Sequence, residues 1–256
     1  MTPSLSVEKL NISIRKRHIV REVDFSIYPG QFCGLIGLNG SGKTTILNGI
    51  CGLTPIYGTV SVNGEVINKF HEKKIARLIS YVPQNPNMNL NISAIDVVNM
   101  GFNAQMGILE PVSKKQRLLA SETLEKIGYG HLADRNFQEL SQGQKQLVIL
   151  ARCIVQDTPV IVLDEPDSSL DYINKHKILS IIKELVKTED KACLVTLHDP
   201  NFALKYCDRL ILLKDGEKAG ELELDSVSIA EVNERMAALY GDDFVLFTYN
   251  DRYVLL

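Results

Sequence analysis

The chain has 256 residues and a 45% hydrophobic fraction, enough apolar material for one large packed domain or two small ones. Its 28 Lys and Arg nearly balance 31 Asp and Glu, and the net charge of -3 argues against broad electrostatic attraction to nucleic acid or anionic lipid. No apolar run approaches the ~20 residues that span a bilayer. MTPSLSVEKL lacks the basic start and apolar run of a signal peptide, and the five cysteines (Cys33, Cys51, Cys153, Cys193, Cys207) include no C-x-x-C pair. A soluble cytoplasmic protein with reduced thiols is expected.

LSVEKLNISI (5–14) and VDFSIYPG (23–30) alternate as strands do, the second stopping at a Pro-Gly turn, and predict an antiparallel edge ahead of the core. QFCGLIG (31–37) reads as a buried strand running into glycines, with KTTILNGI opening a helix beyond it. Asn63-Gly64 within TVSVNGEVIN (59–68) marks a hairpin, and LISYVPQ (78–84) is a strand broken at Pro83. From about 87 to 139, asparagines, an MGFN segment and SKKQRLLASETLEKIG, with its Ser113 to Gln116 capping box, predict a helical insertion. LSQGQKQLVILAR (140–152) starts another helix, because Ser141 and Gln144 have capping-box spacing ahead of an apolar run.

PVIVLDEP (159–166), KACLVTLHDP (191–200) and RLILLKDGEKAGEL (209–222) are short apolar runs separated by helical segments near 172–187 and 201–206. That pattern predicts a mostly parallel sheet. Asp215-Gly216 marks a further hairpin, and FVLFTYNDRYVLL is expected to form two strands around Asn250-Asp251.

GLNGSGKTT (37–45) fits the phosphate-loop pattern G-x-x-x-x-G-K-[ST] between a predicted strand and a predicted helix. Gly37, Gly40 and Gly42 let the backbone wrap a polyphosphate, Lys43 neutralises its outer phosphates, and Thr44 can ligate Mg2+. VIVLDEP delivers Asp164 and Glu165 at a strand end, the first suited to hold Mg2+ and the second to orient and deprotonate water. Gln84 and His198 follow two more strands, so four strand ends direct polar groups at one phosphate site. The helix start at Ser141 is a second anion site with no anion of its own.

Together with LSQGQ (140–144), SSLD (168–171), Gln84 and His198, these motifs make the chain resemble the nucleotide-binding subunit of an ATP-binding cassette (ABC) transporter. The resemblance implies an α/β P-loop fold: a mostly parallel core sheet with an N-terminal antiparallel β subdomain and an α-helical subdomain. Within one domain, residues 1–86 and 153–240 would form the core, 87–152 the helical subdomain and 241–256 a C-terminal strand pair.

It further implies ATP and Mg2+. Gly37, Asn39, Gly40, Ser41, Gly42, Lys43, Thr44 and Thr45 would hold the nucleotide; Thr44, Gln84 and Asp164 would surround the ion; Glu165, His198, Gln84 and Lys43 would be catalytic. Ser141, Gly143, Gln144 and Asp171 would reach the ATP of a second copy packed head to tail, so the second anion site becomes half of a shared one. The implied partners are that second copy, integral membrane permease subunits docking at the segment 85–107 in the groove between the core and the helical insertion, near Gln84, and a substrate-binding protein acting through the permease, with no nucleic acid. The implied location is the cytoplasmic face of the membrane.

VVNMGFN (97–103), HDPNFALKYCDRLILLKDGE (198–217) and LYGDDF (239–244) are similar to ATPases of importers for metal chelates such as ferric siderophores, haem, cobalamin and, in a related branch, molybdate. A soluble ABC adaptor, such as an iron-sulfur cluster assembly component, is the alternative. The chain departs from the family pattern at Gln142 in place of a glycine, Phe102 in place of a basic residue and Asp167 in place of a threonine. ISIRKRH also lacks the aromatic residue that stacks on adenine, leaving His18 or an arginine plane, or weak stacking.

Overall fold

Two sheets share helix α1 between them, in a computed structural model that describes residues 2–85, 91–107, 110–241, 246–249 and 252–255. Strands β1 (Leu5–Ile14) and β2 (Arg17–Ile27) pair antiparallel, and β3 (Phe32–Ile36) runs into the glycine loop ahead of α1 (Lys43–Ile50). β4 (Tyr57–Val62) and β5 (Glu65–Val66) form the expected hairpin, with φ of 49° at Asn63 and 81° at Gly64. α2 (Glu72–Ile75) and β6 (Ile79–Val82) follow, then α3 (Ala94–Asn99), a 3-10 turn over Met100–Ala104, α4 (Lys114–Lys126) and α5 (Gln142–Val155). The chain continues through β7 (Val160–Asp164), α6 (Tyr172–Thr188), β8 (Ala192–Thr196), α7 (Pro200–Tyr206), β9 (Arg209–Lys214), β10 (Glu217–Glu223) and α8 (Ile229–Tyr240). Strands β11 (Leu246–Tyr249) and β12 (Arg252–Leu255) pair antiparallel, and Asn250-Asp251 between them lies outside the described residues.

The larger sheet has the order β10-β9-β3-β8-β7-β6, parallel throughout except at β10. Every residue of β3, β7 and β8 is buried, which is why those runs show no polar alternation. The antiparallel strands form their own sheet, β2-β1-β4-β5, rather than an edge of the core. Their inward residues, including Leu5, Leu10, Ile12 and Val60, pack with Ile46, Leu47 and Ile50 of α1 and with one face of the parallel sheet. α3 to α8 cover the opposite face.

Two short or weakly patterned helices, α3 and α8, were not legible as such. α3 lies in the asparagine-rich part of the expected helical insertion, where no single helix was read; Ser93 caps it, and Val97 and Val98 bury against the apolar face of α5. α8 opens at Ser228, whose Oγ accepts from the Glu231 N-H at 3.2 Å. Of the segment 85–107, residues 86–90 lie outside the described residues.

Candidate functional site

Because β3, β6, β7 and β8 are parallel neighbours in one sheet, their C-terminal ends fall on one edge. There the structure brings together Asn39, Gly40, Gly42, Lys43, Thr44, Thr45, Gln84, Glu165 and His198 in a cleft of about 500 Å³, which Ile19 of β2 completes. That volume falls within the ~300–1,000 Å³ of small-molecule sites. Gly42, at φ 105°, takes a left-handed conformation that lets the loop turn into α1 and aim its first N-H groups at the cleft. Ser41 is buried beneath the loop, its hydroxyl without a hydrogen-bond partner among the described residues.

Lys43 is held by the loop it belongs to: Nζ donates to the carbonyls of Gly37 at 2.8 Å and Leu38 at 3.2 Å. Burial pushes its pKa down, while the carboxylates of Glu165 and Asp164 oppose that shift. A polyphosphate entering the loop would offer this ammonium stronger acceptors than two carbonyls.

The two carboxylates are set by a residue the motif reading missed. Thr196, fully buried at the end of β8, donates from Oγ1 to Asp164 Oδ1 at 2.8 Å and accepts from the Glu165 N-H at 2.9 Å. A polar residue closing the apolar run ACLVT was the available signal. Glu165 itself has φ 45°, a strained conformation for a non-glycine residue. Gln84 Nε2 donates to Glu165 Oε2 at 2.6 Å, and Thr44 Oγ1 to Asp164 Oδ1 at 3.3 Å. Thr44, Asp164, Thr196, Glu165 and Gln84 therefore form one hydrogen-bonded series.

The donor set fits Mg2+. Thr44 supplies a hydroxyl, Asp164 a carboxylate and Gln84 an amide oxygen, and hard oxygen donors with a loop for phosphates match the way that ion is held beside nucleotides.

Ser141, Gly143, Gln144 and Asp171 do not line this cleft. Ser141 Oγ accepts from the Gln144 N-H at 3.3 Å, and Gln144 Oε1 accepts from the Ser141 N-H at 3.0 Å, the expected reciprocal cap of α5. A Cβ on Gly143 would lie 2.8 Å from the Ser169 carbonyl, so the glycine allows the start of α5 to touch the SSLD segment. Asp171 caps α6, accepting from the Asn174 N-H and Nδ2, each at 2.8 Å. Ser141 and Asp171 are exposed and Gly143 and Gln144 partly so, an outward-facing set joined where Gly143 meets Ser169.

His18 is turned away as well. Its Nδ1 is 3.0 Å from Ser13 Oγ, and it lines a different cleft with Asn11, Arg21 and Glu22, so from β2 only the aliphatic Ile19 reaches the phosphate-loop cleft. A third hollow, of about 590 Å³, separates the core from the helical insertion and is lined by Leu53, Tyr81, Met100, Ala104 and Arg152 among others.

The ABC transporter family pattern matches residues 20–168, more than half of the chain. A probable iron chelatin transport ATP-binding protein of Helicobacter pylori (strain J99) is 31% identical over 255 residues, 98% of each chain. A cobalamin import ATP-binding protein of Halobacterium salinarum (strain R1) is 33% identical over 217 residues, 83% of this chain and 53% of that protein, so the chain spans about half the length of that relative. A solved metal-chelate type ABC transporter in an inward-facing conformation matches with a TM-score of 0.81 at 26% identity, over 99% of this chain and 98% of that one. Motifs, cleft geometry and these likenesses agree that the chain belongs to the ABC transporter family.

Proposed function

We propose that the chain is the ATP-hydrolysing subunit of an ABC importer for a metal chelate, working as a head-to-tail pair beneath a membrane permease. The observation that carries this reading is the series Thr44, Asp164, Thr196, Glu165, Gln84, which joins the phosphate loop to a base and an amide in one cleft. A triphosphate would take the glycine-loop N-H groups and draw Lys43 Nζ from the Gly37 and Leu38 carbonyls. Thr44, Gln84 and Asp164 would hold Mg2+, whose charge would offset that of the phosphates. Glu165 would accept the proton of the attacking water, with Gln84 fixing its carboxylate, and His198 would meet the terminal phosphate from the cleft's mouth.

The outward cluster at Ser141 supplies the reason for a pair. A capped helix N-terminus held away from its own cleft binds phosphate only when another copy presents one, so ATP would close the pair and its hydrolysis would release it. Gly143, Gln144 and Asp171 would enter the same shared contact.

Among the described residues no helix is long and apolar enough to cross a membrane. In this reading the membrane-crossing part belongs to permease subunits, which dock in the hollow beside Tyr81, Met100 and Arg152 on the cytoplasmic face. A substrate-binding protein would deliver cargo to them. The names of the Helicobacter and Halobacterium relatives support a metal-chelate cargo. Purification of the tagged chain from detergent-solubilised membranes of its own host tests the assignment. Two copies should come with integral membrane subunits; recovery only from the soluble fraction would replace the permease reading with that of a soluble adaptor.

A further inference from the structure

The chain leaves the parallel core after β6 and returns to it through α5, and these two crossings are tied together by side chains. β6 is the outer strand of its sheet, and the register with β7 turns the carbonyls of Ile79, Tyr81 and Pro83 away from that neighbour. Each of the three is taken by α5 or by the residue that caps its C-terminus. Gln156 Nε2 donates to Ile79 O at 3.4 Å and to Ala76 O at 2.6 Å, Arg152 Nη2 donates to Tyr81 O at 3.3 Å, and Gln146 Nε2 donates to Pro83 O at 3.2 Å. The last bond stands immediately before Gln84, whose own amide donates to Glu165.

Gln146 is 1% exposed, and its Oε1 has no hydrogen-bond partner among the described residues. A methionine would fill the same space without burying an unpaired carbonyl, so packing alone does not account for an amide at this position. Its bond to Pro83 does. Gln146 lies little more than one turn beyond the cap at Ser141, so the same helix end that would meet a partner's phosphate also grips the residue preceding Gln84.

We propose that Gln146 is a positioning residue for Gln84: by holding the Pro83 carbonyl to α5, it makes phosphate capture at Ser141 and placement of Gln84 against Glu165 parts of one movement. The inference rests on the ATPase reading above, and it assigns Gln146 no contact with nucleotide.

The test uses the full chain with Gln146→Met and Gln146→Glu, measuring ATP affinity, kcat, melting temperature and the pH profile of kcat. Gln146→Met keeps the volume and loses the donor. It should bind ATP within twofold of the wild type and lose about tenfold in kcat, with a melting temperature close to the wild type's. Gln146→Glu cannot donate when ionised but can when protonated, and burial favours the protonated form. Its kcat relative to wild type should therefore rise several-fold between pH 8.5 and pH 6. A Gln146→Met chain with wild-type kcat, or one that loses ATP affinity and kcat together, overturns the proposal. If that variant does not fold, a flat pH ratio for Gln146→Glu overturns it. Absence of ATP hydrolysis by the wild type would instead overturn the catalytic reading itself.

Discussion

Replacing Thr196 by valine removes one hydroxyl and almost no volume, so it isolates what that hydroxyl does. In the folded chain the group is fully buried and makes two bonds, to the Asp164 carboxylate at 2.8 Å and from the Glu165 N-H at 2.9 Å. Loss of a bond to a charged acceptor costs ~1.5–3 kcal/mol, and a buried N-H left unpaired ~1–3 kcal/mol; because the two share one neighbourhood, their sum overstates the effect, and about 2–4 kcal/mol is expected. For a chain of this size that corresponds to a melting temperature lower by roughly 5–15 °C.

The catalytic effect should be larger than the stability loss suggests. Glu165 sits at φ 45°, a conformation that costs ~1–3 kcal/mol and is held partly by this bond. Relaxation by about 1 Å moves its carboxylate from the place where it would meet the attacking water, which is worth about 10²-fold in kcat. Thr196→Ser keeps the hydroxyl and should keep kcat within about threefold, losing ~1 kcal/mol for the methyl. Steady-state hydrolysis at saturating Mg-ATP, with chemical melts of the three proteins, decides the matter. A valine variant with wild-type kcat would show that Glu165 does not depend on Thr196, and the reasoning from that hydrogen bond would fail.

Ser141→Arg should leave ATP affinity within twofold, because the residue is outside the cleft, while removing most hydrolysis by blocking the shared contact; equilibrium binding and turnover on one preparation check both. Asp167 is fully buried, with Lys175 Nζ 3.4 Å from Oδ2, and burial raises its pKa above the ordinary carboxylate value despite that lysine. A raised carboxyl pKa means the folded chain binds the extra proton, so stability falls as pH rises from ~4 through the raised value. Asp167→Asn should therefore be more stable than wild type at pH 7–8, an advantage that shrinks toward pH 4 in parallel melts. Because Ile19 is the only β2 side chain in the cleft and offers no hydrogen-bonding group, kcat/KM for GTP should lie within about tenfold of that for ATP, as measured by phosphate release.

The phosphate loop, the Asp164-Glu165 pair and the capped start of α5 were legible because each is a local pattern: glycines before a Lys-Thr, an apolar strand closed by acids, a serine three residues before a glutamine. Parallel order then brings Gln84 and His198 to one cleft, since parallel strands put all their C-terminal ends on one edge. What was not legible is pairing across long separations. Thr196 meets Asp164 across 32 residues and Gln146 meets Pro83 across 63, and no local pattern shows which partner each will meet. The antiparallel strands read correctly one by one, but their alternation could not show that they make a sheet of their own. His18 was a candidate for base stacking because it lies in the stretch where the family carries a stacking aromatic residue; its bond to Ser13 and the side of the hairpin it occupies turn it elsewhere.

The central claim is that the cluster at Ser141 completes the cleft of a second copy, and light scattering of Glu165→Gln tests it directly. With Mg-ATP, which this variant should bind and turn over only very slowly, the chain should run as a dimer; with Mg-ADP or without nucleotide it should be a monomer. A chain that stays monomeric with ATP demonstrably bound, or that dimerises equally with ADP, would contradict a pair closed by the terminal phosphate.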